Sequence, residues 1–237
     1  MQLFYDNNIK QYDKQFTFDK IESKHIVRVL RKKEGDVLYI TNGNGFLFTS
    51  KISIANDKRC LVTIVNEVLI DNPLNYKLHI AIAPTKNNQR LEWFLEKATE
   101  IGISEITPII CDHSERKVVK TERLEKVLIA AMKQSKRFYL PKLNDAISFK
   151  NFMNSKNDGD LFIAHCEDLD KKTFKSLLVH GNDVTILIGP EGDFSTNEIT
   201  LALLNNFIAV SLGNSRLRTE TAGIVAAHSV AFINEIE

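Results

Sequence analysis

The chain has 237 residues, enough for one large domain or two small ones. Its apolar content of 43% is ordinary for a globular protein, and 31 basic against 30 acidic residues leave a net charge of +1. A global positive field is thereby excluded, and any contact with nucleic acid must come from local basic patches.

The first seventy residues read as β-rich. Leu3-Phe4-Tyr5 suggests a short strand, and 23–31 (SKHIVRVLR) a short helix with Ile26, Val27 and Leu30 on one side. After a turn at Glu34-Gly35-Asp36, 37–41 and 46–54 read as a hairpin about Asn42-Gly43-Asn44-Gly45, and 59–68 as a further alternating strand. Several short strands at this spacing predict a small barrel over 1–70. Asp71-Asn72-Pro73-Leu74-Asn75 is the linker candidate.

From 76 onward strands and helices alternate, which predicts an α/β layer with a mostly parallel sheet over 76–237. A strand at 76–83 precedes a helix over 89–101, where Leu91, Phe94, Leu95 and Ala98 fall at helical spacing and Gly102 is the stop. A strand at 103–110 precedes a helix over 122–138, and a strand at 160–165 precedes one over 171–179. The continuous apolar run 184–188 (VTILI) reads as a central strand buried on both faces. A helix over 197–205, a buried strand at 207–212 and a closing helix over 220–233 complete the chain.

Cys60, Cys111 and Cys166 contain no Cys-x-x-Cys pair, so neither a zinc site nor a redox dithiol is expected. Sparse cysteine fits a reducing compartment. The N-terminus has no signal-like apolar stretch, and no apolar run approaches the roughly 20 residues that span a bilayer. The expectation is a cytoplasmic protein that uses no membrane and no metal.

Two loops concentrate polar chemistry. Gly189-Pro190-Glu191-Gly192-Asp193-Phe194-Ser195 follows the buried 184–188 strand, and Ser195 with Glu198 forms a capping box for the next helix. Ligands in open α/β sheets sit at the carboxyl ends of strands, although the same residues would also make an ordinary turn. Ser211-Leu212-Gly213-Asn214-Ser215-Arg216-Leu217-Arg218-Thr219-Glu220 again follows a strand and combines a glycine turn, two arginines and a carboxylate. Its plainer alternative is a loop with solvated arginines and a helix cap.

Together these loops resemble those of the 16S ribosomal RNA uridine-N3 methyltransferases (ribosomal RNA small subunit methyltransferase E), within the SPOUT superfamily. The resemblance extends along the chain. It includes His25-Ile26-Val27-Arg28-Val29-Leu30-Arg31 with Gly35-Asp36, then Lys86, Arg90, Glu92, Lys97-Ala98-Thr99-Glu100-Ile101-Gly102 and Pro108. Ser114-Glu115-Arg116 and Ala131-Met132-Lys133-Gln134-Ser135-Lys136-Arg137 with Pro141 follow in order. Two positions depart from the pattern: Asp193 stands where the family usually has Gly, and Leu217, between Arg216 and Arg218, where Ile is commoner.

The resemblance implies a PUA-like RNA-binding barrel before a trefoil-knotted SPOUT domain, and a homodimer. It also implies that S-adenosylmethionine is bound by three loops: His165-Cys166-Glu167, then Ile188, Gly189, Pro190, Glu191 and Gly192, then Leu212, Gly213, Ser215, Arg216 and Leu217. As a lone histidine His165 reads as structural rather than catalytic. The implied substrate is one uridine in the decoding region of 16S ribosomal RNA. Uridine N3 carries a proton that must leave before or during methyl transfer. Arg218 is therefore a candidate to stabilise the uridine oxygens, and Glu220 or Glu191 to act as base or orienter. The last two could also be helix-start and loop acids. Arg28, Arg31, Arg116, Gln134 and Arg137 are the candidate RNA contacts, from three local basic patches that would otherwise be solvated surface. Two rivals remain: a SPOUT methyltransferase with another RNA target, and a non-enzymatic RNA-binding assembly protein.

Overall fold

Alternating apolar and polar residues near the N-terminus pair into one five-stranded sheet. In the computed structural model, which describes residues 1–167 and 171–235, it contains β1 (Leu3–Tyr5), β2 (Gln15–Thr17), β3 (Val37–Thr41), β4 (Phe46–Ile54) and β5 (Leu61–Leu69). The order is β1-β3-β4-β5-β2. β1 lies parallel to β3, and the other pairs are antiparallel. The glycine turn predicted between β3 and β4 is present, with Gly43 and Gly45 at φ 76° and 91°.

Between β2 and β3, α1 (Lys20–Lys24) runs directly into a wider π turn at His25–Val29. It starts earlier than the sequence pattern indicates because Asp19 supplies the cap, accepting the Glu22 amide proton at 2.7 Å. Ser23 is buried inside the turn, donating to the Phe18 carbonyl and accepting from the Cys60 amide. Phe4, Phe18, Ile26, Leu38, Ile40 and Phe48 form the core of this part.

The second sheet is parallel throughout. It contains β6 (Leu78–Ile82), β7 (Glu105–Ile110), β8 (Lys142–Leu143), β9 (Ile147–Ser148), β10 (Asp160–Ala164), β11 (Lys172–Thr173), β12 (Val184–Ile188) and β13 (Ile208–Ser211). The order is β11-β13-β10-β12-β6-β7-β8, with β9 also on β7. The helices are α2 (Asn88–Ile101), α3 (Thr121–Ser135), α4 (Phe149–Met153), α5 (Phe174–Leu177), α6 (Thr196–Leu204) and α7 (Thr219–Ile233). Every residue of β12 is buried, as its unbroken apolar run requires. α2 buries Leu91, Phe94, Leu95 and Ala98, starts at an Asn87 cap and ends at Gly102 with φ 127°. Gly223, Ala226, Ala227 and Val230 of α7 are buried, and α7 packs on α2 within the same unit.

Several elements differ from the sequence pattern. β2, β8, β9 and α4 are too short to carry a period of their own. The helix expected over 171–179 is instead β11 followed by the single turn α5. The strand expected to be buried at 207–212 is the half-exposed β13, because only the two residues of β11 lie beyond it; Ile208 is 50% exposed.

The chain divides into two compact units, Met1–Pro73 with Met132–Leu140, and Leu74–Ala131 with Pro141–Glu237. The helix expected over 122–138 ends at Ser135, where Lys136 takes a φ of 55°. The following residues belong to the first unit. The Gly45 amide donates to the Phe138 carbonyl, the Leu140 amide to the Gly43 carbonyl, and the Tyr139 hydroxyl to the Ile70 carbonyl. Among the described residues no helix is long and apolar enough to cross a membrane, and no group of three or more His, Cys, Asp or Glu is placed to hold a metal ion.

Candidate active site

The carboxyl ends of β10, β12 and β13 are neighbours because those strands are adjacent in the sheet, so the loops leaving them converge. They enclose two adjoining hollows of about 360 and 260 Å³. The first lies among His165, Cys166, Glu167, Lys171 and residues 210–217. The second lies among Ile188, Gly189, Pro190, Glu191, Asp193, Arg218 and Thr219. Ala164, Cys166, Arg216, Leu217 and Ala222 line both.

The structure thus brings together ten of the eleven residues expected at the cofactor: His165, Ile188, Gly189, Pro190, Glu191, Leu212, Gly213, Ser215, Arg216 and Leu217. Gly192 lies in the turn beneath, where an added Cβ would stand 3.1 Å from His113 Cβ. Gly189 is also closely packed, against the Phe194 ring, and its carbonyl accepts the Thr219 hydroxyl at 3.0 Å.

His165 is 7% exposed, and among the described residues neither ring nitrogen has a hydrogen-bond partner. Buried polar atoms are normally paired, so these two nitrogens stand out in the wall of the hollow. Burial and then the Lys171 charge push its pKa down, against the opposing pull of Asp193 and Glu167, which keeps the ring neutral at pH 7. Burial, reinforced by Asp193, pushes the Cys166 thiol pKa up. Cys166 therefore lacks the thiolate that nucleophilic chemistry needs.

Each of the two candidate carboxylates has a partner. Glu191 Oε1 accepts the Lys86 amide proton at 3.0 Å, and its carbonyl lies 3.5 Å from Arg216 Nη2. Glu220 lines neither hollow. It is 6% exposed in the first turn of α7, with Oε1 3.6 Å from Arg90 Nε and, among the described residues, no hydrogen bond to Oε2. Arg218 is exposed at the cap of α7 and lines the second hollow.

The expected RNA contacts separate. Arg28, Arg31, Gln134 and Arg137 all belong to the first unit. Arg28 is paired with Asp57 at 2.8 Å, whereas Arg31 and Gln134 are exposed. Arg116 belongs to the second unit and is largely occupied: Nε donates to the Thr85 carbonyl at 3.1 Å and Nη2 to the Lys86 carbonyl at 2.7 Å. Lys171 Nζ holds the His165 and Glu167 carbonyls, His113 Nδ1 faces the Gly192 and Asp193 carbonyls, and Arg90 faces Glu220. None of these leaves a local sequence signal, since each acts through partners distant in sequence or through backbone carbonyls.

Fold and site together define a class. Residues 72–231 match the model of an RNA methyltransferase domain, and residues 18–65 that of an RNA methyltransferase PUA domain. Ribosomal RNA small subunit methyltransferase E of Buchnera aphidicola is 31% identical over 90% of this chain and 86% of its own, and that of Bacillus subtilis 30% over 93% and 91%. The chain belongs to the ribosomal RNA small subunit methyltransferase E family. Among solved structures, a probable rRNA-methyltransferase from Porphyromonas gingivalis superposes with a TM-score of 0.90 at 41% identity, over 99% of this chain and 98% of that one. A putative methyltransferase from Legionella pneumophila, solved with bound SAM, superposes at 0.88 with 28% identity, over 98% and 97%.

Proposed function

We propose that this protein transfers a methyl group from S-adenosylmethionine to N3 of one uridine in 16S ribosomal RNA of the small subunit. The observation that carries this is the convergence of the 165–167, 188–192 and 212–217 loops on adjoining hollows with the unpaired ring of His165 in the wall. Solved relatives hold the same cofactor. The three loops would hold it here, through His165 and through backbone groups of glycine-rich turns.

Bound there, the cofactor supplies an electrophilic methyl on a sulfonium. The chain's own residues orient the base and manage its proton. Arg218 offers a guanidinium to the uracil oxygens as the N3 proton leaves, stabilising the developing anion. Glu191 holds the Lys86 amide and so orients the 83–87 loop, and Glu220 faces Arg90 behind the site. With one carboxylate bound to backbone and the other outside the hollows, stabilisation of the uridine anion by Arg218 is favoured over abstraction by a carboxylate base. The first unit, with Arg28, Arg31, Gln134 and Arg137, takes the RNA backbone. The trefoil knot, a homodimer and a cytoplasmic location belong to the same proposal and are expected from the superfamily.

The test is methyl transfer from labelled S-adenosylmethionine to small ribosomal subunits lacking the modification, followed by nucleoside analysis. Labelled 3-methyluridine is the expected product. Cofactor binding without label would move the activity to another RNA. Neither binding nor label would leave an RNA-binding assembly protein.

A further inference from the structure

The carboxylate of Asp193 joins two loops. Its Oδ2 accepts the Cys166 amide proton at 2.7 Å, and its Oδ1 accepts that of Phe194 at 2.9 Å. Asp193 sits at φ 65°, a left-handed conformation that Asp and Asn adopt more readily than other side-chain-bearing residues. Its amide closes the turn on the Pro190 carbonyl at 2.9 Å, and its own carbonyl faces His113 Nδ1 at 3.1 Å. Glycine would meet the backbone requirement but could not reach Cys166.

The 165–167 segment is held from its other side as well. Lys171 Nζ donates to the carbonyls of His165 and Glu167 at 2.7 and 2.6 Å, and the Thr196 hydroxyl donates to Glu167 Oε1 at 2.9 Å. Among the described residues no hydrogen bond from the His165 ring fixes its place. These backbone ties, with the packing around the ring, hold it in the wall of the larger hollow.

We propose that Asp193 is a positioning residue for the cofactor. By clamping the Cys166 amide to the 189–193 turn, it forms the His165 wall before the cofactor arrives. A preformed wall removes the ordering cost from binding and so raises affinity. A carboxylate is suited to this because hydrogen bonds to an ionised acceptor are the stronger kind. The clamp has this purpose only if the hollow beside His165 belongs to the cofactor, as proposed above.

The test uses the full chain, with Asp193→Asn and Asp193→Gly, and titrates S-adenosylhomocysteine by calorimetry. Asn keeps size and left-handed tolerance but has one acceptor oxygen for two N–H groups. Gly keeps the turn and removes the clamp. In both, the dissociation constant is expected to rise, by up to about tenfold, because the loosened wall must then be ordered on binding and the lost hydrogen bond bounds that cost. Hydrogen exchange in unliganded protein should accelerate across 165–167, and the loss in methyl transfer should fall on the cofactor KM more than on kcat. Unchanged affinity in both variants, or weakened affinity without faster exchange at 165–167, would overturn the clamp. A parent protein in which the ligand protects neither 165–167 nor 212–217 would place the cofactor elsewhere, overturning the assignment of the hollow and the clamp with it.

Discussion

Gly223 of α7 lies against the ring of Phe94 of α2: a Cβ at position 223 would stand 2.6 Å from Phe94 Cε2. Phe94 is fully buried, so its ring has nowhere to retreat. Gly223→Ala would gain up to about 1 kcal/mol of helix propensity. Overpacking a rigid core costs about 1–3 kcal/mol, and because Phe94 is fully buried and Ile82 Cδ1 lies 3.2 Å from the same Cβ, that cost is the larger. Urea unfolding is expected to show net destabilisation of Gly223→Ala, partly restored by adding Phe94→Leu.

Arg31 and Arg116 should respond differently to salt. Arg31 is exposed, whereas Arg116 grips the Thr85 and Lys86 carbonyls. A phosphate contact contributes about one unit to the slope of log affinity against log salt. Arg31→Gln is expected to reduce that slope by about one for ribosomal RNA, while Arg116→Gln leaves it unchanged. Equal slopes for Arg31→Gln and the parent protein would remove Arg31 from the RNA contacts.

Arg218 lines the second hollow and is the residue proposed to act on the base. Removing one donor that stabilises a developing anion costs about 10²–10³-fold in rate. Arg218→Ala is expected to slow single-turnover methyl transfer by about that factor, with cofactor affinity within a few-fold of the parent. Glu220→Gln, outside the hollows, should slow it far less. Parity between Arg218→Ala and the parent enzyme would end the role given to Arg218.

His79 and His165 make stability depend on pH. Burial lowers both pKa values from 6.5. The unfolded chain then binds more protons than the folded one below that value, so stability is greatest above pH 6.5 and falls as pH drops through it. His79 Nε2 is 2.8 Å from Thr107 Oγ1, a contact that an amide can replace. His79→Gln should therefore flatten the dependence of the urea midpoint between about pH 5.5 and 7.5, the range in which histidine titrates. An identical slope in the variant would assign the dependence to other groups.

How much of this was legible depended on how local the signal was. The five apolar residues of β12, the Leu91-Phe94-Leu95-Ala98 stripe and the Ser195–Glu198 capping box lie within a few residues each. The helical pattern over 122–138 runs past the real end at Ser135 because the left-handed turn at Lys136 and the pairing of Phe138 and Leu140 with Gly45 and Gly43 join segments almost a hundred positions apart. β8 and β9 have two residues each and exist only through β7.

The sequence by itself determined the character of the β-rich and α/β parts, the order of most elements and the two polar loops that follow the 184–188 and 207–212 strands, because periodicity, turn chemistry and capping act over a few residues and leave a pattern. The 165–167 loop was implied only by the family resemblance. Only the tertiary structure decided what the site's charged groups do. Glu191 binds the Lys86 amide 105 positions away, Arg116 braces the Thr85 and Lys86 carbonyls, and Asp193 ties down Cys166. Those partners are mostly backbone N–H and C=O groups, which every residue carries alike, so no pattern of side chains could have announced them.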